Sequence, residues 1–433
     1  MEYKEVLDYL EKSSKFGIKL GLTNIKALLG GLGNPQNAYK TIHVAGTNGK
    51  GSVTAMCSSI LEKANYKVGR YVSPHLTEFT ERISINGKEI SKEDVVTNFL
   101  KIKEKADSLK EQGIYITYFE FITALAFLYF KEQKVEIAVI ETGLGGRLDA
   151  TNVIEPEVSV ITNIGLDHTN VLGDNKESIA REKAGIIKGT HLVTAESDKE
   201  ILSLFQEICY NKKVNLVNVL QHQIVLKNDN LDGQTFSVKT NNEYYLIYLQ
   251  LLGNHQIKNA LTSICVMEIL QKKGLNISKK AIIEGLKETK WPGRLELIQR
   301  KPNVLLDCAH NPNGMKQLVH FLKTIKYEKL IVVLGISEGK DYQKMIQIIS
   351  PITDLFILTQ AKYRGLNPNL LHKSFDEQNE LKKKIIIVSN VLEATKNALK
   401  HSDDNDLVLL TGSIFMVGEA RTIWHPQDLM FLR

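Results

Sequence analysis

The sequence predicts an α/β protein built on mainly parallel sheet, and three observations carry that prediction. Short apolar runs alternate with helix-length amphipathic segments, a glycine-rich turn with one lysine follows the first clear run, and the rhythm restarts after a Trp-Pro-Gly break at residues 291–293. Such alternation marks strands joined by crossover helices, which a parallel sheet requires. At 433 residues the chain exceeds one ordinary core, so two domains are expected. Residues 1–293 read as a nucleotide-binding domain with a small antiparallel appendage, and residues 294–433 as a smaller, Rossmann-like α/β domain, with the active site in the cleft between them.

The elements follow in order. Met1 to Lys15 carries apolar residues at helical spacing and lacks the apolar core and cleavage site of a signal peptide, so residence in the cytoplasm is expected. Strands are predicted at Thr41–Ala45, Val68–Val72, Glu136–Ile140, Val158–Thr162 and His191–Thr194, with helices such as Ser52–Asn65 and Ser91–Gln112 between them. Phe119–Phe130 is the longest apolar stretch, but it contains Glu120 and is too short to cross a bilayer, so it reads as a buried helix. From Val214 to Leu249 the pattern changes to alternating strands, with turns at Asn228–Gly233 and Asn241-Asn242, which predicts the antiparallel appendage at the sheet edge. Helical periodicity returns over Asn254–Lys272 and Ser278–Lys287. The second series has strands near Asn303–Leu306, Leu330–Leu334, Asp354–Leu358, Lys384–Val388 and Asp406–Leu410, without a second lysine-glycine turn.

Charge narrows the class of partner. The net charge of +6 comes from 55 basic and 49 acidic residues that are interspersed, with only short clusters such as Lys382-Lys383-Lys384. This suits a small anionic substrate better than nucleic acid. Cys57, Cys209, Cys265 and Cys308 lie far apart with no C-x-x-C spacing, which argues against a disulfide framework or a structural zinc site.

The chemistry starts at Gly46-Thr47-Asn48-Gly49-Lys50-Gly51-Ser52, where glycines let backbone N–H groups converge on phosphate and Lys50 adds a mobile charge. The usual phosphate-loop spacing is broken: Val44 stands where the first glycine belongs, Gly51 replaces the hydroxyl after the lysine, and the hydroxyl has moved to Ser52. Three further groups fall just past strand ends, where open parallel sheets place ligands. Glu141 is placed to hold Mg²⁺ against phosphates, His168 is a candidate ligand beside Asp167, and Ser73 offers the hydroxyl that Gly51 has lost. On these residues alone, a small-molecule kinase and a nucleotide-gated binding protein stay open beside a ligase.

Seven segments in order then carry a resemblance to the folylpolyglutamate synthase/dihydrofolate synthase branch of the Mur ligase superfamily. They are His43–Ser52, Ser73–Leu76 with Thr80-Glu81-Arg82, Glu141–Asn152, Glu182-Lys183-Ala184-Gly185, Trp291–Glu296, Asp307–Pro312 and Thr411–Arg421. The resemblance implies an ATP-dependent ligase that joins L-glutamate to a folate or dihydropteroate carboxylate through an acyl phosphate; a monomer is the default expectation, and the charge pattern and the short apolar stretch predict no nucleic-acid or membrane partner. It implies two magnesium ions, with Ser73, Glu141 and His168 as ligands, and ATP contacts at Asn48, Gly49, Lys50, Gly51, Ser52, Asn259, Arg294 and Asp307. Lys183 matches a carbamylated lysine of relatives; Thr117, Phe119, Leu148, Asp149 and Ala150 match the folate site, and His310 and Ser413 the glutamate site. Lys50, Lys183 and His310 are the candidate catalytic residues, His310 as proton acceptor. Asp307-Cys308-Ala309-His310-Asn311-Pro312 departs from the family motif at Cys308, which stands in a glycine position and reads as a small buried side chain.

Overall fold

The first series of strands closes into one eight-stranded sheet in the computed structural model, which describes residues 1–13, 21–377 and 384–426. Ser14 and Lys15 of the expected N-terminal helix, and Lys382 and Lys383 of the basic cluster, lie outside those residues. The strands are β1 (Lys40–Ala45), β2 (Val68–Tyr71), β3 (Ile83–Ile85), β4 (Lys88–Glu89), β5 (Ile137–Glu141), β6 (Val158–Ile161), β7 (His191–Thr194) and β8 (Asn215–Asn218), in the order β4-β3-β2-β5-β1-β6-β7-β8. All pairings are parallel except those of β3 and β4 at one edge.

The period of two in β5 shows why the sheet needs cover on both faces. Ile137 and Val139 join a core with the helices Lys50–Lys63 and Asn254–Lys272, while Ala138 and Ile140 join another with Lys92–Glu111 and Tyr118–Glu132. Tyr118–Glu132 is the buried helix expected from the long apolar stretch, and Phe121 stacks on Phe99 at 5.0 Å. No helix among the described residues is long and apolar enough to cross a membrane.

The appendage departs from expectation in two ways. The run after Val214 starts with β8, which pairs parallel with β7, and the antiparallel part is confined to β9 (Gln223–Asn230), β10 (Gly233–Lys239) and β11 (Tyr244–Leu249). These three strands form a sheet of their own instead of extending the edge of the large one. The alternation in β11 explains this: Tyr245, Ile247 and Leu249 point to one face, which is buried against the core shared with Lys50–Lys63 and Asn254–Lys272.

The second series forms β12 (Glu296–Gln299), β13 (Asn303–Asp307), β14 (Leu330–Leu334), β15 (Leu355–Leu358), β16 (Lys384–Ile387) and β17 (Leu407–Thr411), ordered β12-β13-β17-β14-β15-β16. Only β12 runs antiparallel, and it was not foreseen because all four of its residues are half-buried and show no alternation. Every predicted parallel strand lies within one residue of its observed ends.

Candidate active site

The phosphate loop leaves β1 through Gly46 (φ +147°) and enters the helix Lys50–Lys63 through Gly49 (φ +85°), conformations that favour glycine. Each glycine also answers to a neighbour. A Cβ on Gly46 would lie 1.8 Å from Thr162 Oγ1, one on Gly49 2.7 Å from Asn259 Oδ1, and one on Gly51 2.5 Å from the Trp291 ring. The loss of the hydroxyl at position 51 therefore has a steric cause, since Trp291 occupies its place. The end of β6 holds the loop: Thr162 Oγ1 and Asn163 Nδ2 donate to Asn48 O at 2.6 and 3.1 Å, and Asn48 N donates to Asn163 Oδ1 at 3.1 Å. No side chain caps this helix, which leaves its first N–H groups to an anion. Lys50 Nζ donates to Gly46 O at 3.0 Å and Thr47 O at 3.2 Å, curled over the loop.

Glu141 is buried at the end of β5, with one long contact, 3.4 Å, from Ser73 N. Burial raises its pKa to about 7, against the opposing effects of Lys50, Ser73 N–H, Arg294 and Arg82. The loop after β2 is locked by the Thr80-Glu81-Arg82 segment. The Glu81 carboxylate accepts from the N–H groups of Leu76, Thr77 and Glu78, and Arg82 Nε donates to His75 Nδ1 at 2.8 Å.

Asp167 and His168 follow β6. His168 sits at φ +51° with its side chain half exposed, and its pKa falls to about 4 through burial and the cations Lys340 and Lys50, with Asp167 opposing. A neutral imidazole is the form a metal needs. Lys183, 5% exposed in the helix Lys176–Ala184, is lowered to about 7 by burial and then Lys50, against Asp167 and Asp149. Among the described residues no three His, Cys, Asp or Glu side chains gather around one point. The donor set expected for a divalent ion is thus one carboxylate, one imidazole and one hydroxyl, which leaves its remaining positions to phosphate oxygens and water. A buried carboxylate short of partners fits such an ion.

Residues expected at the folate site cluster around the Tyr118–Glu132 helix start. Thr117 is its N-cap, with Thr117 Oγ1 donating to Glu120 Oε2 at 2.8 Å and accepting from Glu120 N at 3.3 Å, so its hydroxyl is already used in a capping box. Phe119 packs on Gly143, where a Cβ would meet its ring at 2.3 Å. Asp149 staples its own turn by accepting from Leu144 N and Thr151 N, beside half-buried Leu148 and buried Ala150.

The expected residues of the second domain lie along the carboxyl edge of its sheet. Asp307 accepts from Leu295 N at 3.0 Å and Ala309 N at 2.9 Å, tying Arg294's segment to β13. Cys308 is 1% exposed against Gly293, and burial pushes its thiol up to about 12, which suits a packing role. His310 Nδ1 donates to Cys308 O at 2.9 Å, while Nε2 faces Asp167 at 3.4 Å. Ser413 is buried, with its hydroxyl 2.7 Å from that of Ser337. The two carboxyl edges meet: Asn311 Nδ2 donates to Asn48 Oδ1 and to Asp167 Oδ2, each at 3.1 Å, and Lys340 Nζ lies 2.6 Å from Asp167 Oδ1. Asp167, Asn311, Lys340 and Trp291 were given no site role from sequence, although Trp291 marked the break between the two series. Asp167 and Asn311 adjoin residues that were given one, but nothing in one-dimensional spacing pairs them.

A family model described as the Mur ligase middle domain matches residues 44–267, and one described as Mur ligase, glutamate ligase domain, matches residues 293–414. The dihydrofolate synthase/folylpolyglutamate synthase of Bacillus subtilis (strain 168) is 38% identical over 432 residues, covering 97% of this chain and 98% of that protein. The structure of E. coli FolC in complex with DHPP and ADP superposes with a TM-score of 0.87 at 29% identity, over 98% of this chain and 97% of that one. A bifunctional folylpolyglutamate synthase/dihydrofolate synthase with Mn, AMPPNP and L-glutamate bound gives a TM-score of 0.84 at 30% identity, over 98% of each chain.

Proposed function

Because the chain belongs to the Mur ligase family, on the branch of the folylpolyglutamate and dihydrofolate synthases, we propose that its cleft activates the acceptor acid as an acyl phosphate before glutamate attacks. The chain is an ATP-dependent ligase that adds glutamate to folate. Joining a carboxylate to an amine is uphill in water. Transfer of the terminal phosphoryl group of ATP turns the carboxylate oxygen into a good leaving group, the glutamate amine adds to the carbonyl carbon, and the tetrahedral intermediate expels phosphate.

The observation that carries this reading is electrostatic convergence on one lysine. Glu141, His168 and Lys183 come from three separate segments, and Lys50 acts on the titration of each. In our reading Lys50 leaves the Gly46 and Thr47 carbonyls to meet the outer phosphates, and Arg294 neutralises charge from the second domain. Glu141, Ser73 and His168 would hold a divalent ion, which when bound offsets charge on the phosphates. Lys183, its pKa lowered to about 7 so that the free amine is well populated near neutral pH, is suited to take up CO₂ and become an anion that supports a second ion. His310 can accept the proton of the attacking amine only if its Nε2 turns from Asp167.

The test offers purified protein ATP, Mg²⁺ and glutamate with dihydropteroate or a reduced folate in separate reactions, recording phosphate release and product mass. Phosphate release that needs both acid and glutamate is expected, and Lys50→Ala should abolish it while leaving the fold intact. A stable phosphorylated product formed without glutamate would instead make the protein a kinase.

A further inference from the structure

We propose that Asp167 is a positioning residue that couples the domains across the cleft, holding His310, Asn311 and Lys340 of the C-terminal domain at the lip of the phosphate loop. The inference deepens the ligase reading and rests on it. One carboxylate oxygen lies 2.6 Å from Lys340 Nζ, and the other lies 3.1 Å from Asn311 Nδ2 and 3.4 Å from His310 Nε2. His310 and Asn311 follow β13 and Lys340 follows β14, so all three partners stand on the carboxyl edge of the second sheet. Asp167 follows β6, whose end clamps the phosphate loop through Thr162 and Asn163.

Asn311 shows how far the connection reaches. Its Nδ2 is shared between Asp167 and Asn48 of the loop, while its Oδ1 accepts from Gly314 N at 2.8 Å and caps the helix Pro312–Leu322. One acidic side chain, 11% exposed, thereby links the loop that binds phosphate to a helix start and a loop of the other domain. A carboxylate so enclosed is stable only when donors surround it, and here the backbone N–H of His168 at 2.9 Å supplies one from its own loop while Lys340 and Asn311 supply theirs from across the cleft. In the ligase reading the acid is activated on the N-terminal domain and must meet an amine delivered from the C-terminal one. A misplacement of about 1 Å between reacting groups can cost roughly a hundredfold in rate.

The experiment compares Asp167→Asn, Lys340→Met and the double variant by kinetics, thermal melting and solution scattering. Each single change should lower kcat about tenfold or more, with KM for the acceptor acid, whose expected contacts all lie in the N-terminal domain, kept within about twofold. The double variant should lose no more than Asp167→Asn alone, because both remove one connection. Lys340→Met should also enlarge the radius of gyration, and since Lys340 stands in the loop after β14 and belongs to no strand or helix this variant decides the matter if Asp167→Asn fails to fold. Wild-type kcat and wild-type dimensions in Lys340→Met, or losses that multiply in the double variant, would overturn the proposal. If the unaltered protein forms no amide the ligase reading fails by itself, and scattering of Lys340→Met still reports on the coupling.

Discussion

Glu141 and Lys183 are two buried titratable groups displaced toward neutrality from opposite sides, and each has a consequence that a pH series reads. Burial raises Glu141 to about 7, so between the ordinary carboxylate range and 7 the folded state binds more protons than the unfolded one, and the contribution of this group to stability falls as pH rises through that window. A divalent ion prefers the ionised form and displaces the proton. Affinity for the Mg²⁺–nucleotide complex should therefore increase by up to about tenfold per pH unit below 7 and level off above it. Calorimetric titration checks this, with Glu141→Gln expected to flatten the profile. Lys183 runs the other way: its pKa falls to about 7 through burial and Lys50, so the folded state binds fewer protons than the unfolded one and its contribution to stability grows as pH rises from 7 toward 10.5. Above 7 the free amine should react with ¹³C-labelled bicarbonate to give one protein carbamate resonance, missing in Lys183→Ala. An unchanged spectrum would remove carbamylation from the scheme. These residues were legible from sequence because they stand at strand ends or in matching motifs, but their protonation was not, since it depends on which side chains the fold packs around them.

The helix Lys50–Lys63 shows the same division for an element. A glycine-rich entry and the strand before it announce the helix, yet only packing explains why position 51 carries no side chain. Trp291 lies against it from the segment that joins the domains, with the Arg70 guanidinium 5.5 Å from its ring centroid. Gly51→Ala would drive a methyl group into that ring, an overpacking cost of about 1–3 kcal/mol. We expect nucleotide affinity to drop roughly tenfold or more, as the cost is taken up by the helix start. Gly30→Ala, where no atom lies within 4 Å of the added carbon, serves as the control. Trp291 and Trp424 are the only tryptophans, so quenching of emission follows the displacement directly. Strands were legible where burial is continuous, as in β1, β5 and β14. They were missed where it is not: β12 is half-buried throughout, and β3 and β4 have three and two residues, too few to show a period.

At the level of the whole molecule the two domains meet at several contacts, and one that involves neither Asp167 nor its partners offers a separate test of the arrangement. Gly418, in the helix Ile414–Arg421, lets the C-terminal domain approach the loop after β2 so closely that a Cβ there would lie 2.0 Å from Leu76 O. Gly418→Val should push the domains apart, which solution scattering reads as an increased radius of gyration and kinetics as slower amide formation; unchanged dimensions would show that the contact does not set the domain spacing. The strand order, the pairing of β8 with β7 and the separate three-stranded sheet are consequences of covering every apolar face, a demand that alternation in the sequence states without naming the partner. By itself the sequence determined the continuously buried strands, the phosphate loop and its breach of the usual spacing, because these depend on neighbours a few residues apart. Only the tertiary structure decided that Trp291 replaces the hydroxyl after Lys50, that Lys50 is the common charge beside Glu141, His168 and Lys183, and that Asp167 faces Asn311 and Lys340. Those relations join residues separated by tens to hundreds of positions, and they exist only once burial of apolar faces has brought the strand ends together.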